Sequence, residues 1–125
     1  MEFPVKKYDL GQRTIQFAFD TRSFISKLPY SPLSIDDLKQ LTRSSGSIGA
    51  NYIEASESLG KKDFLLRMKI SRKEAKESIY WLRLIDLKND DERLLTEKIR
   101  LIQEATELMK IFGSIISKKS RELNL

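Results

Sequence analysis

The side chains able to do chemistry in this chain are carboxylates, amines, guanidinium groups, amides and hydroxyls, because neither histidine nor cysteine occurs among its 125 residues. Without histidine, the commonest general base, the commonest transition-metal ligand and every Ser-His or Cys-His arrangement are missing. Without cysteine there is no disulfide, thiolate metal site or cysteine nucleophile. What remains is a polar set at helical spacing: Arg43, Ser47, Asn51 and Glu54 in one segment, with Arg72, Glu74 and Glu77 in another. Glu54, Glu74 and Glu77 raise the idea of a carboxylate-bridged di-metal bundle, but such a site draws on Glu-x-x-His helices. Charge pairing between adjacent helices, Arg43 with Glu74 or Glu77, is the plainer role. No reaction, cofactor or metal is expected.

A second group is cationic. Between Lys61 and Lys76 stand Lys61, Lys62, Arg67, Lys69, Arg72, Lys73 and Lys76 against Asp63 and Glu74, a local net charge of +5 that equals that of the whole chain. Lys62, Lys69, Lys73 and Lys76 follow steps of seven, four and three, so one helical face can present them together. Two readings stay open: a row that neutralises phosphates, with strongly salt-dependent binding, or a solvated face. The segment Ser44-Ser45-Gly46-Ser47-Ile48-Gly49-Ala50 is glycine-rich, but no strand precedes it and no Gly-Lys-Ser or Gly-Lys-Thr ends it, so a phosphate loop is disfavoured. Small residues that admit a neighbouring helix are the better reading. Spare apolar side chains, Ile15, Phe19, Tyr80, Trp81 and Leu84, fit a subunit interface, the alternative being a thicker core centred on Trp81.

The elements that must position these groups read as four helices in one all-α domain, an antiparallel up-down four-helix bundle. Hydrophobic residues at 40% and charged residues at 33%, with few Gly and Pro, suit that class. The first helix is expected over 9–28, capped by Asp9, with Leu10, Thr14, Phe17, Thr21, Phe24 and Leu28 inward. The second is expected over 35–59, opened by a Ser34/Asp37 capping box and closed by Gly60, with Leu38, Leu41, Ser45, Ile48, Tyr52, Ala55 and Leu59 inward. The third is expected over 62–88, its stripe running through Phe64, Met68, Ser71, Ala75, Ile79, Leu82 and Ile85. The fourth, over 91–117 after an Asn89-Asp90-Asp91 turn, uses Leu95, Ile99, Ile102, Ala105, Met109, Phe112 and Ile116, broadened by Leu94, Leu101, Leu108 and Ile115. Residues from Lys118 onward are expected to fray, and Phe3-Pro4 to pack on the bundle end or stay disordered. No run of about 20 apolar residues exists and the N-terminus lacks a signal-like core, so a soluble cytoplasmic protein with no membrane role is expected.

The residues also resemble a known family. Leu41-Thr42-Arg43-Ser44, the run Ser47 to Ala55, Lys62-Asp63-Phe64, and Lys73-Glu74-Ala75-Lys76-Glu77 followed by Tyr80-Trp81-Leu82 resemble the "four helix bundle" family, which includes proteins encoded in intervening sequences of bacterial large-subunit ribosomal RNA genes. The resemblance runs from about Tyr8 to Leu87, and the fourth helix follows in pattern. Members are similar to the accessory variability determinant proteins of diversity-generating retroelements, which are homopentamers with a positive surface that bind nucleic acid and associate with a reverse transcriptase. The resemblance implies a homo-oligomer, a pentamer by that likeness, and a reverse transcriptase partner in a retroelement setting. It also implies a polar core of Arg43, Asn51, Glu54, Glu74 and Glu77, with no catalytic role. The expected function is non-enzymatic binding of structured RNA or an RNA/DNA hybrid through Lys61, Lys62, Lys69, Arg72, Lys73 and Lys76, largely without base specificity. A protein-binding scaffold is the alternative.

Overall fold

The computed structural model describes residues 9–87 and 91–124. Its four helices are α1 (Leu10–Ser26), α2 (Ile35–Ser56), α3 (Lys61–Leu84) and α4 (Glu92–Glu122). Each packs on its two neighbours in a ring α1, α2, α3, α4; across the diagonal the backbones stay apart, and the Tyr52 ring of α2 reaches the Phe112 ring of α4 with centroids 6.3 Å apart. This is the all-α up-down bundle, with short connections that force antiparallel neighbours.

The core is built on steps of seven. Phe17 and Phe24 on α1, Leu41 and Ile48 on α2, Met68, Ala75 and Leu82 on α3, and Leu101 and Leu108 on α4 are at most 1% exposed. A repeat of seven keeps each line on the seam of slightly coiled helices, and every large apolar side chain removed from water there stabilises the fold by about 1.5–3 kcal/mol. On α4 the expected stripe is buried at Ala105, Phe112 and Ile116, joined by Leu101 and Leu108 from the line expected to broaden it, whereas Leu95 and Ile99 at its N-terminal end are about half exposed.

Several ends differ from expectation, each for a local reason. Asp9 caps α1 as expected, accepting from the Gln12 N–H at 3.0 Å, and α1 ends at Ser26, two residues before Leu28. The Ser34/Asp37 box does not form, because Ser34 is already in the αR region and its hydroxyl turns back to the Ser31 carbonyl. Helix α2 stops at Ser56 and leaves Leu59 fully exposed, while Gly60, in ordinary extended backbone, is the N-cap of α3 and not the stop of α2. Helix α3 ends at Leu84, short of the expected end. Asp91 caps α4 through the Arg93 and Leu94 N–H groups. Helix α4 continues to Glu122 where fraying was expected, helped by a Lys119–Glu122 pair at 3.2 Å and by the Lys119 amine 5.7 Å from the Phe64 ring centroid. Phe3-Pro4, Lys88, Asn89 and Asp90 lie outside the described residues.

Two seams explain how the ring closes. Between α2 and α3 small residues bring the backbones together: the Ser44 and Ser78 hydroxyls sit 2.9 Å apart, and Ser71 donates to the Ile48 carbonyl at 3.0 Å. Between α1 and α4 the contact is ionic. Arg13, Asp20 and Lys27, seven residues apart, meet Glu104, Arg100 and Glu97 in antiparallel order at 2.7, 3.3 and 2.6 Å. The Arg13 side chain is 10% exposed and donates twice to Glu104, whose side chain is 25% exposed. Losing one partner of a fully buried pair costs about 3–5 kcal/mol, and the partial exposure of Glu104 reduces that. Arg13→Ala is therefore expected to lose about 2–3 kcal/mol in urea unfolding, against under 1 kcal/mol for Lys27→Ala at the exposed end of the same ladder. Equal small losses would show that the seam contributes nothing specific.

Candidate nucleic-acid interface

Helix α3 has two faces of opposite character. Leu65, Met68, Ser71, Ala75, Ser78 and Leu82 are buried, and that periodicity carries Lys62, Lys69, Lys73 and Lys76 to the opposite, exposed side. At 1.5 Å per residue the four lysines span about 21 Å along the axis. None of them forms an ion pair among the described residues. Lys61 is exposed at the first turn, but Arg72 is half-buried and its Cδ lies 4.0 Å from where a Cβ on Gly113 would sit, so it runs toward α4 and off the row. Arg83, also exposed, continues the row. Lys62, Lys69, Lys76 and Arg83 stand seven apart, and Leu66, Lys73 and Tyr80 form a second line of sevens beside them. Arg83, Leu66 and Tyr80 were not assigned to this face from sequence, although the two interleaved heptads were legible there.

The polar set divides. Arg43 on α2 donates to Glu74 at 2.8 Å and to Glu77 at 3.2 Å. Burial pushes the Glu74 carboxyl above its ordinary value, Glu77 adds to the rise, and Arg43 opposes it. Glu77 is held below its ordinary value by the hydrogen bond from Glu74, then by Arg43 and Lys73. Asn51 is half-buried, accepting from Arg67 at 3.2 Å and donating to the Ser47 carbonyl at 2.9 Å. Glu54 is exposed and does not join them, because it points outward one turn past Asn51. Raised in the folded state, the Glu74 pKa makes that state hold a proton the unfolded chain has released. Its contribution to stability is present in acid and is lost as pH rises through the carboxylate range. Glu74→Gln removes that loss, so its melting temperature relative to wild type is expected to climb as pH rises above the ordinary glutamate value of about 4.3. A constant difference across the series would contradict the assignment.

The five spare apolar residues are not one patch. Ile15 and Phe19 lie on α1 and Tyr80, Trp81 and Leu84 on α3, and α1 and α3 are diagonal in the ring. Ile15, Tyr80 and Leu84 are exposed, and Phe19 is half-buried. Trp81 packs partly against the core and edge-on to Tyr80, ring centroids 4.9 Å apart, so it is not the centre of the core. In the glycine-rich segment, a Cβ on Gly49 would lie 2.8 Å from Thr14 Oγ1, so this glycine sets the α1–α2 approach. Gly46 meets only the end of Arg22.

Among the described residues no helix is long and apolar enough to cross a membrane. A solved structure from Bacteroides thetaiotaomicron, described as a protein with unknown function from the S23 ribosomal protein family, is similar at a TM-score of 0.71 and 28% identity, covering 86% of this chain and 97% of that one. No curated protein matches the chain. The family described as 23S rRNA-intervening sequence protein matches residues 6–114, nearly the whole bundle including the cationic face of α3. The chain belongs to the 23S rRNA-intervening sequence protein family.

Proposed function

We propose that this protein is a non-enzymatic bundle that binds structured nucleic acid, RNA or an RNA/DNA hybrid, through the outer face of α3. The observation that carries the reading is the exposed row of Lys62, Lys69, Lys73 and Lys76, continued by Arg83, with no ion pair among the described residues. A helix that only needs solubility is usually laced with opposite charges at three- and four-residue spacing. Here Glu77, four residues after Lys73, makes its ion pair with Arg43. A straight row of amines on a rigid rod suits phosphates presented by a folded backbone, and such contacts position a partner without reading its sequence.

Exposed Ile15 on α1 and Leu84 on α3 support self-association as a second part of the reading, which would set several such rows side by side. A protein-binding scaffold is the competing reading. Lysine acetylation mapped by mass spectrometry separates the two. Adding a structured RNA is expected to protect Lys62, Lys69, Lys73 and Lys76 while leaving the exposed Lys110 on α4 reactive. Protection elsewhere, or none, would remove this face from the proposal.

A further inference from the structure

We infer that Tyr80 is a stacking platform within the cationic row, so that the protein selects nucleic acid in which an unpaired base lies next to a structured backbone. The inference rests on the nucleic-acid reading of α3 and goes beyond it by naming what the face prefers. Three observations carry it. Tyr80 is 57% exposed on a regular helix, although an aromatic ring is more often buried there. It falls between cations, four residues after Lys76 and three before Arg83, which places them on the same face about 6 and 4.5 Å away along the axis. Trp81 holds the ring from one side in an edge-on contact, with planes at 78°, which fixes the ring and lowers the entropy cost of using it.

The geometry then dictates the ligand. Lysines alone attract any phosphate backbone, paired or not. A ring flanked by those lysines adds something only when a base face is free, and inside a duplex every base face is covered by its neighbours. A hairpin loop, bulge or frayed end offers both features at once: phosphates for Lys69, Lys73, Lys76 and Arg83, and one open base for Tyr80. Tyr30, the other strongly exposed tyrosine among the described residues, sits in the α1–α2 connection.

The test compares wild type, Tyr80→Ala and Tyr80→Phe by fluorescence anisotropy on two labelled RNAs of equal charge, a hairpin with a single-nucleotide bulge and a blunt duplex. Stacking of a base on an aromatic side chain contributes about 1–3 kcal/mol. Tyr80→Ala is therefore expected to weaken bulged-RNA binding by about 5- to 150-fold. Binding to the blunt duplex and the salt dependence on both should not change, and Tyr80→Phe should restore the bulge preference. Equal affinity of wild type for both RNAs, or equal losses on both for Tyr80→Ala, overturns the inference and leaves phosphate binding standing. If wild type binds neither RNA, the reading of the whole face fails instead, and this inference falls with it.

Discussion

Replacing Lys62, Lys69, Lys73 and Lys76 together by Glu is expected to weaken binding to structured RNA by about 10³-fold or more while leaving the bundle folded. Each lysine that meets a phosphate contributes about 1 kcal/mol through released counterions, and reversal adds repulsion to the loss. The fold should survive because all four are exposed and none forms an ion pair among the described residues, so each change lies within the small range typical of surface substitutions. Helical circular dichroism and melting temperature are the controls, and an anisotropy titration is the readout. Unchanged affinity in a folded variant would make the row a solvated face.

The second large effect concerns packing. Gly49→Leu is expected to destabilise the bundle by more than about 3 kcal/mol, because a Cβ there would already lie 2.8 Å from Thr14 Oγ1 and 3.1 Å from Thr14 Cβ, and the remaining carbons have no space between α1 and α2. A shift of Thr14 is costly, since it is buried and donates to the Gly11 carbonyl at 2.7 Å. Gly113 in α4 gives the opposite result. Its nearest neighbour would be 4.0 Å from an added Cβ, so Gly113→Ala should gain up to about 1 kcal/mol from helix propensity alone. Urea unfolding of both variants checks the pair. A Gly49→Leu variant as stable as wild type would show that the helix crossing is looser than the structure describes.

Helix number, order and most inward residues were legible because the apolar spacing and the Asp9 cap are local signals. The same periodicity placed Ala105, Phe112 and Ile116 of α4 correctly but misjudged its first turns, where two apolar lines compete: Leu95 and Ile99 fit the stripe as well as Leu101 and Leu108, and only the position of α1 and α3 decides which line is covered. The α1–α4 ladder was missed although Arg13, Asp20 and Lys27 stand seven apart, since its meaning depends on Glu97, Arg100 and Glu104 arriving in reverse order about 80 residues later. The Arg43 pairing with Glu74 and Glu77 was readable because adjacent antiparallel helices fix which turns oppose. Glu54 was misassigned because charge type and spacing do not say which side of a half-buried helix faces water. The α3 row was readable as a row. Its extension to Arg83 and the exposure of Tyr80 depend on where α2 and α4 leave α3 uncovered.

The measurement that tests the central claim most directly is the salt dependence of wild-type binding to a labelled duplex and a structured RNA, followed by anisotropy with nuclease-treated protein. Three to five phosphate contacts from the α3 row predict binding at low salt and a slope of log affinity against log salt of about −2.7 to −4.5 on duplex DNA, with a similarly steep fall on RNA. Absence of binding at low salt, or affinity indifferent to salt, would contradict the phosphate-binding face and turn the search toward a protein partner.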